Sequence, residues 1–112
     1  MEKYTFQELI DIARGVIKEF EKVEQKKWAA EGAMIELAKQ SGELARCIMV
    51  YEKYYTKERK GYEVKKENIA DELADILYSL IRLADHYGID LEEAHLEARR
   101  NELKSLGKTP DF

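Results

Sequence analysis

Cysteine and proline are almost missing from this 112-residue chain: Cys47 is its single thiol and Pro110 its single proline. One cysteine excludes an internal disulfide and any zinc cluster built on several thiolates, and it is consistent with a reducing, cytoplasmic setting. Glycine is sparse as well, with six residues, none arranged as a P-loop or a dinucleotide fingerprint. Long apolar runs are lacking. The longest, Cys47 to Tyr51, falls far short of the about 20 residues that a membrane span needs. The start, Met1-Glu2-Lys3-Tyr4-Thr5, lacks the basic-then-apolar pattern of a signal peptide. Basic charge is not in surplus either: 19 Lys and Arg face 23 Asp and Glu, for a net charge of −4. That balance argues against a nucleic-acid partner, which calls for a clustered basic face.

What is present favours helix. The chain is 45% hydrophobic and 38% charged, and Glu with Lys, both good helix formers, dominates the charge. The length fits one domain over 1–112, able to bury roughly 65% of its extended-chain surface. Thr5-Phe6-Gln7-Glu8 is a capping-box pattern, and Phe6, Leu9, Ile10, Ala13, Val16, Ile17, Phe20 and Val23 follow at helical spacing. A first helix is therefore expected from about Thr5 to about Lys26, with Trp28 at its end. A second begins near Gly32, carries Ala33, Leu37, Leu44, Ile48, Tyr51 and Tyr55 on one face, and fades over 56–60 with Gly61 as its stop. A third starts between Val64 and Ile69, runs to Tyr87 and ends at Gly88. Its apolar stripe is Ile69, Leu73, Ile76, Leu77, Leu80, Leu83, Ala84 and Tyr87. Asp90-Leu91-Glu92-Glu93 opens a shorter fourth helix through another capping box, and the tail from about 107 is irregular.

The expected fold is an all-α antiparallel bundle of about four helices. The apolar face of helix three spans about 160° on a helical wheel, wider than the about 100° that one-sided packing requires. The bundle is accordingly expected to be completed as a homodimer or homotetramer.

The carboxylates follow a pattern. Glu72 borders the apolar face of helix three and Asp75 lies one turn along, so an i,i+3 pair can aim two oxygens at one point. On helix two Glu36, Gln40 and Glu43 form a stripe beside Leu37, Leu44 and Ile48. Carboxylates beside apolar neighbours cost free energy unless paired or metal-bound, and an all-oxygen donor set suits Mg²⁺, or Mn²⁺, better than zinc or iron. In so acidic a chain the same spacing also arises on solvated faces, and Asp71 reads as one such residue. Glu-x-x-His pairs, the mark of di-iron bundles, are absent. His86 and His95 read as surface or bundle-edge residues. Trp28 could stack on a base or plug the core. Tyr54 carries the same two readings, and for Tyr51 and Tyr55 core packing is favoured.

Ser41-Gly42-Glu43-Leu44-Ala45, followed after a spacer by Asp71-Glu72-Leu73-Ala74-Asp75-Ile76-Leu77-Tyr78, resembles the MazG-type nucleotide pyrophosphohydrolases of the all-α NTP pyrophosphatase superfamily. Their signature is Glu-x-x-Glu, a spacer, then Glu-x-x-Asp; here 28 residues separate Glu43 from Glu72. The run from Ala84 to Ala94 also resembles that family's junction between helices three and four. The resemblance implies that Glu43, Glu72 and Asp75 bind Mg²⁺ and carry catalysis. The reaction it implies is attack of water on a nucleoside triphosphate, releasing a nucleoside monophosphate and pyrophosphate in a nucleotide-pool or house-cleaning role. It further implies phosphate contacts from Asn101 and Lys104 and a place for Trp28 beside the base. Arg46, Arg82 or Lys39 could add phosphate contacts.

One position departs from the signature: its first Glu is Gln40 here, preceded by Lys39. A neutral amide can ligate Mg²⁺ but brings no charge, a difference of about a few kcal/mol beside a cation at an effective dielectric near 20. Glu36, one turn earlier, can supply the missing carboxylate, giving Glu36, Glu43, Glu72 and Asp75. Otherwise the chain is a slow or inactive relative, a helical oligomerisation or nucleotide-sensing module. A phosphoribosyl-ATP pyrophosphohydrolase, whose Glu-x-x-Asp helix reads much like Glu72 to Tyr78, is the alternative enzyme.

Overall fold

The computed structural model describes residues 3–54 and 63–112, and within them every regular element is a helix: α1 (Phe6–Glu21), α2 (Ala30–Tyr51), α3 (Lys66–His86) and α4 (Leu91–Ser105). The all-α expectation holds. None of these helices is long and apolar enough to cross a membrane.

Local chemistry sets most of the helix ends. Thr5 caps α1 reciprocally: its hydroxyl accepts from the Glu8 N–H at 3.1 Å, and the Glu8 carboxylate accepts from the Thr5 N–H at 3.0 Å. At α4 the Asp90 carboxylate accepts from the Glu93 N–H at 3.0 Å. Between α3 and α4, Gly88 takes φ +64°, the left-handed conformation that glycine adopts without steric cost. The Ile89 N–H then reaches back to the Ala84 carbonyl at 2.8 Å, closing a Schellman turn.

Three boundaries differ from the sequence reading. Helix one stops at Glu21 rather than Lys26. Its apolar spacing continues through Phe20 and Val23, but both face water, Val23 at 74% exposure, so no burial rewards further turns. Trp28 consequently lies in the 22–29 linker and not on helix one. Helix two starts two residues early, at Ala30, and ends at Tyr51. There Lys53 adopts φ 62° and the Tyr54 N–H closes onto the Met49 carbonyl at 2.9 Å. The expected fade over 56–60, the stop at Gly61 and the packing of Tyr55 lie outside the described residues.

The packing is built on α3. α2 lies along it and α1 meets its C-terminal half, while α4 makes almost no contact with the other three. The core of the described residues is small: Ile10, Ile17, Ala33, Cys47, Ile81 and Ala84, with Ser79 as its one polar member. Tyr51 is exposed rather than packed, as are Leu73, Leu80 and Tyr87 of the α3 stripe. The radius of gyration is 17.7 Å, against about 13 Å for a compact chain of this length. The apolar stripe is thus wider than one chain covers, and α4 projects as an arm. The tail beyond Gly107 is non-helical but anchored: the Arg100 Nε donates to the Phe112 carbonyl at 2.8 Å, and its guanidinium lies 5.5 Å from the Phe112 ring.

Candidate functional site

Two neighbouring features share one face of α3. Glu72, Asp75, Ser79, Arg82 and His86 recur at steps of three and four residues, which places them in a single stripe. The acidic end faces α2, and the basic end faces the α1–α2 linker.

At the acidic end Glu36, Gln40, Glu43 and Glu72 are half-buried and Asp75 is exposed. The structure brings Glu36 and Gln40 together and ties Gln40 to α3. The Ser79 hydroxyl donates to Gln40 Oε1 at 2.6 Å, and Gln40 Nε2 approaches Glu36 Oε1 at 3.4 Å. The amide orientation is forced, because a carboxylate only accepts and so must face the NH₂ group. Ser79 is a buried hydroxyl in the run Ile76-Leu77-Tyr78-Ser79-Leu80-Ile81, and the amide oxygen satisfies it. Gln40 therefore serves as a cross-helix clasp, with its oxygen already engaged. A Glu at this position would face the Glu36 carboxylate at about that same 3.4 Å.

Local cations hold two of the other acids: Lys39 Nζ lies 3.5 Å from Glu36, and Arg46 Nε donates to Glu43 at 3.2 Å. Such i,i+3 surface pairs are worth about 0.2–1 kcal/mol and yield easily to a stronger partner. Among the described residues no three His, Cys, Asp or Glu side chains stand close enough together to hold a metal ion. The donor set of Glu36, Glu43, Glu72 and Asp75 is nonetheless all oxygen, which fits a hard divalent cation. Asn101 and Lys104 sit on the projecting α4, and the structure does not bring them to these acids within the chain.

The basic end is more enclosed. Arg82 Nη2 donates to both oxygens of Glu24, at 2.8 and 3.2 Å, with the side chains 14% and 13% exposed. The same guanidinium lies 4.5 Å from the centre of the Trp28 ring, a stacked cation–π arrangement. The backbone of Gly32 also packs on this indole: a Cβ there would sit 3.5 Å from it. Trp28 is thus a platform for Arg82, and it is half-buried rather than a member of the core. The Tyr78 hydroxyl is cut off from water and finds no hydrogen-bond partner among the described residues. Burial pushes its pKa up, while the nearby Arg82 charge pulls it down.

Glu24, Trp28 and Arg82 line an open cleft of about 560 Å³ that also meets Lys18, Glu21, Lys27 and His86, within the usual size range of small-molecule sites. One wall is fixed by Arg14, whose Nε and Nη2 donate to Asp85 at 2.8 and 2.7 Å; this raises the Arg14 pKa above its ordinary value. In the sequence Arg82 is a candidate phosphate contact alone, and neither Glu24 nor Ser79 stands out as a candidate. The signal for Arg82 and Ser79 was their polarity inside the apolar register of α3. Glu24 gives none, being one of eight residues in the charged 22–29 linker.

The chain matches the phosphoribosyl-ATP pyrophosphohydrolase family over residues 6–102. It is also 36% identical over 91 residues to the uncharacterized protein YvdC of Bacillus subtilis (strain 168), covering 72% of this chain and 83% of that one. No solved structure matches. The likeness to MazG-type enzymes accordingly holds at the level of the all-α superfamily.

Proposed function

The chain belongs to the phosphoribosyl-ATP pyrophosphohydrolase family, and we propose that it hydrolyses a nucleoside triphosphate to a nucleoside monophosphate and pyrophosphate. The observation that carries this reading is the family match across 6–102, which includes both the acidic stripe and the cleft. In this reading Glu43, Glu72 and Asp75 hold Mg²⁺ or Mn²⁺, with Glu36 as the fourth carboxylate in place of Gln40. When bound, the ion neutralises triphosphate charge and acidifies the attacking water.

The chain's own groups do the rest. Gln40, pinned by Ser79, keeps Glu36 turned toward the shared face. Water adds at the α-phosphorus, the bond to the bridging oxygen breaks, and pyrophosphate leaves while a carboxylate of the stripe takes the proton. From Asp75 to Arg82 the helix rises about 10 Å, so a nucleotide whose phosphates lie at the acids can place its nucleoside in the Trp28 cleft. Trp28 then serves at the base end. Asn101 and Lys104 contact phosphate from the α4 of a second copy, since their own α4 stands clear. A homodimer or homotetramer would also cover Leu73, Leu80 and Ile48, which a single chain leaves exposed. The setting in this reading is cytoplasmic, without a nucleic-acid or membrane partner.

The test is Mg²⁺-dependent release of pyrophosphate from a panel of common and modified nucleoside triphosphates, with phosphoribosyl-ATP as a separate arm. Turnover of phosphoribosyl-ATP alone would move the assignment to the activity named by the family. Silence across the panel, with activity appearing in Gln40→Glu, would make the natural chain a degenerate, nucleotide-sensing relative.

A further inference from the structure

We propose that the Glu24–Arg82 pair on Trp28 is a base-reading element, selective for nucleobases that carry an exocyclic amino group beside a ring nitrogen acceptor, such as cytosine. The inference rests on the nucleotide reading above and adds to it the part of the nucleotide that is discriminated.

Three observations carry it. A carboxylate and a guanidinium, each about seven-eighths buried, are a poor device for stability alone, because desolvation offsets their attraction. Their retention at the floor of an open cleft points to recognition. The pair is also incompletely used: Arg82 spends Nη2 on Glu24, while its Nε and Nη1 have no protein partner among the described residues. Finally, the guanidinium is held over the Trp28 ring, and a planar Arg is a surface on which bases stack and to which they hydrogen-bond.

The chemistry of the pair sets the selectivity. Glu24 only accepts and Arg82 only donates. Side by side they complement an edge that donates and accepts in that order, namely an amino group next to an unprotonated ring nitrogen. Cytosine presents this edge. Uracil presents the reverse, a carbonyl next to an N–H, and would set its oxygen against the carboxylate. Such a mismatch leaves buried polar groups unpaired and is strongly rejected by sites of this kind.

Trp28 is the only tryptophan of the chain, so intrinsic fluorescence reports on the cleft without requiring turnover. The experiment titrates the protein with non-hydrolysable α,β-methylene analogues of CTP and UTP in the presence of Mg²⁺. Both should perturb Trp28 emission, with the cytosine analogue binding at least tenfold more tightly. Glu24→Gln, whose amide can donate as well as accept, should bring that ratio close to one. Arg82→Lys, which keeps the charge but loses the plane, should weaken both analogues alike. Equal affinity of the natural protein for the two analogues overturns the proposal, as does an unchanged ratio in folded Glu24→Gln. If that variant fails to fold, the comparison on the natural protein decides alone. Pyrophosphate release without any base discrimination sinks the base-reading element and leaves the hydrolase reading standing. Absence of both binding and release removes the two together.

Discussion

At the Asp75 end of the α3 stripe, acids face water or lean on weak neighbouring cations. Two turns on, Arg82 and Glu24 are locked together over an indole and largely withdrawn from solvent. The difference is one of pre-organisation. Clustered carboxylates repel one another, so gathering them without a counter-ion costs free energy, and among the described residues they stand apart. A guanidinium and a carboxylate neutralise each other, so their geometry can be set by folding alone. Folding alone thus sets the geometry of the paired end, while the acids of the other end remain apart.

Three measurements test that contrast. The largest effect is expected for Arg82→Ala, which strands the Glu24 charge and should cost about 3 kcal/mol in denaturant unfolding; a loss below 1 kcal/mol would show the pair to be solvent-screened. Asp75→Asn should do the reverse, leaving stability within about 0.5 kcal/mol while lowering pyrophosphate release on the order of 100-fold. An equal loss of stability would break the proposed division of labour. Gln40→Glu sets a second carboxylate beside Glu36, so its Tm should fall in EDTA, and Mg²⁺ should raise it more than in the natural protein. A Tm response to Mg²⁺ no greater than the natural one would detach Gln40 and Glu36 from the cation.

The smallest effects lie far from the site, at the α1 cap. Thr5→Ala should cost about 1 kcal/mol. The backbone hydrogen bond from Thr5, helped by its hydroxyl, holds the Glu8 pKa below the ordinary 4.5. A lowered folded pKa means that Glu8 contributes stability above pH 4.5 and loses it as the pH falls through the folded value. The stability gap between the natural protein and Glu8→Ala should therefore narrow in acid.

The sequence carried the helices well where a local device marks them. Thr5 with Glu8, Asp90 with Glu93, and Gly88 each name a terminus through a short-range hydrogen bond or a dihedral preference. It misled where periodicity outran burial, as at Phe20 and Val23, because spacing records an amphipathic face without saying whether anything packs on it. The acids of the candidate site could be read from their spacing, since i,i+3 neighbours share a face in any helix. The Glu24–Arg82 pair could not, because its members lie 58 residues apart and meet only when the linker folds across α3. Gln40 falls between these cases. Its departure from the signature was visible, but its purpose was not until Ser79 stood opposite.

The burial of Cys47 gives the molecule a clock. At 2% exposure, the only thiol of the chain cannot meet a reagent until α2 lifts from its neighbours. Its labelling rate in excess reagent therefore measures how often the core opens, independently of the tryptophan signal from the cleft. A nucleotide that merely settles on Trp28 should leave that rate unchanged. A cation that draws the acids of α2 and α3 together should slow it. The two native reporters, one sulfur and one indole, divide the chain along the same line as its chemistry.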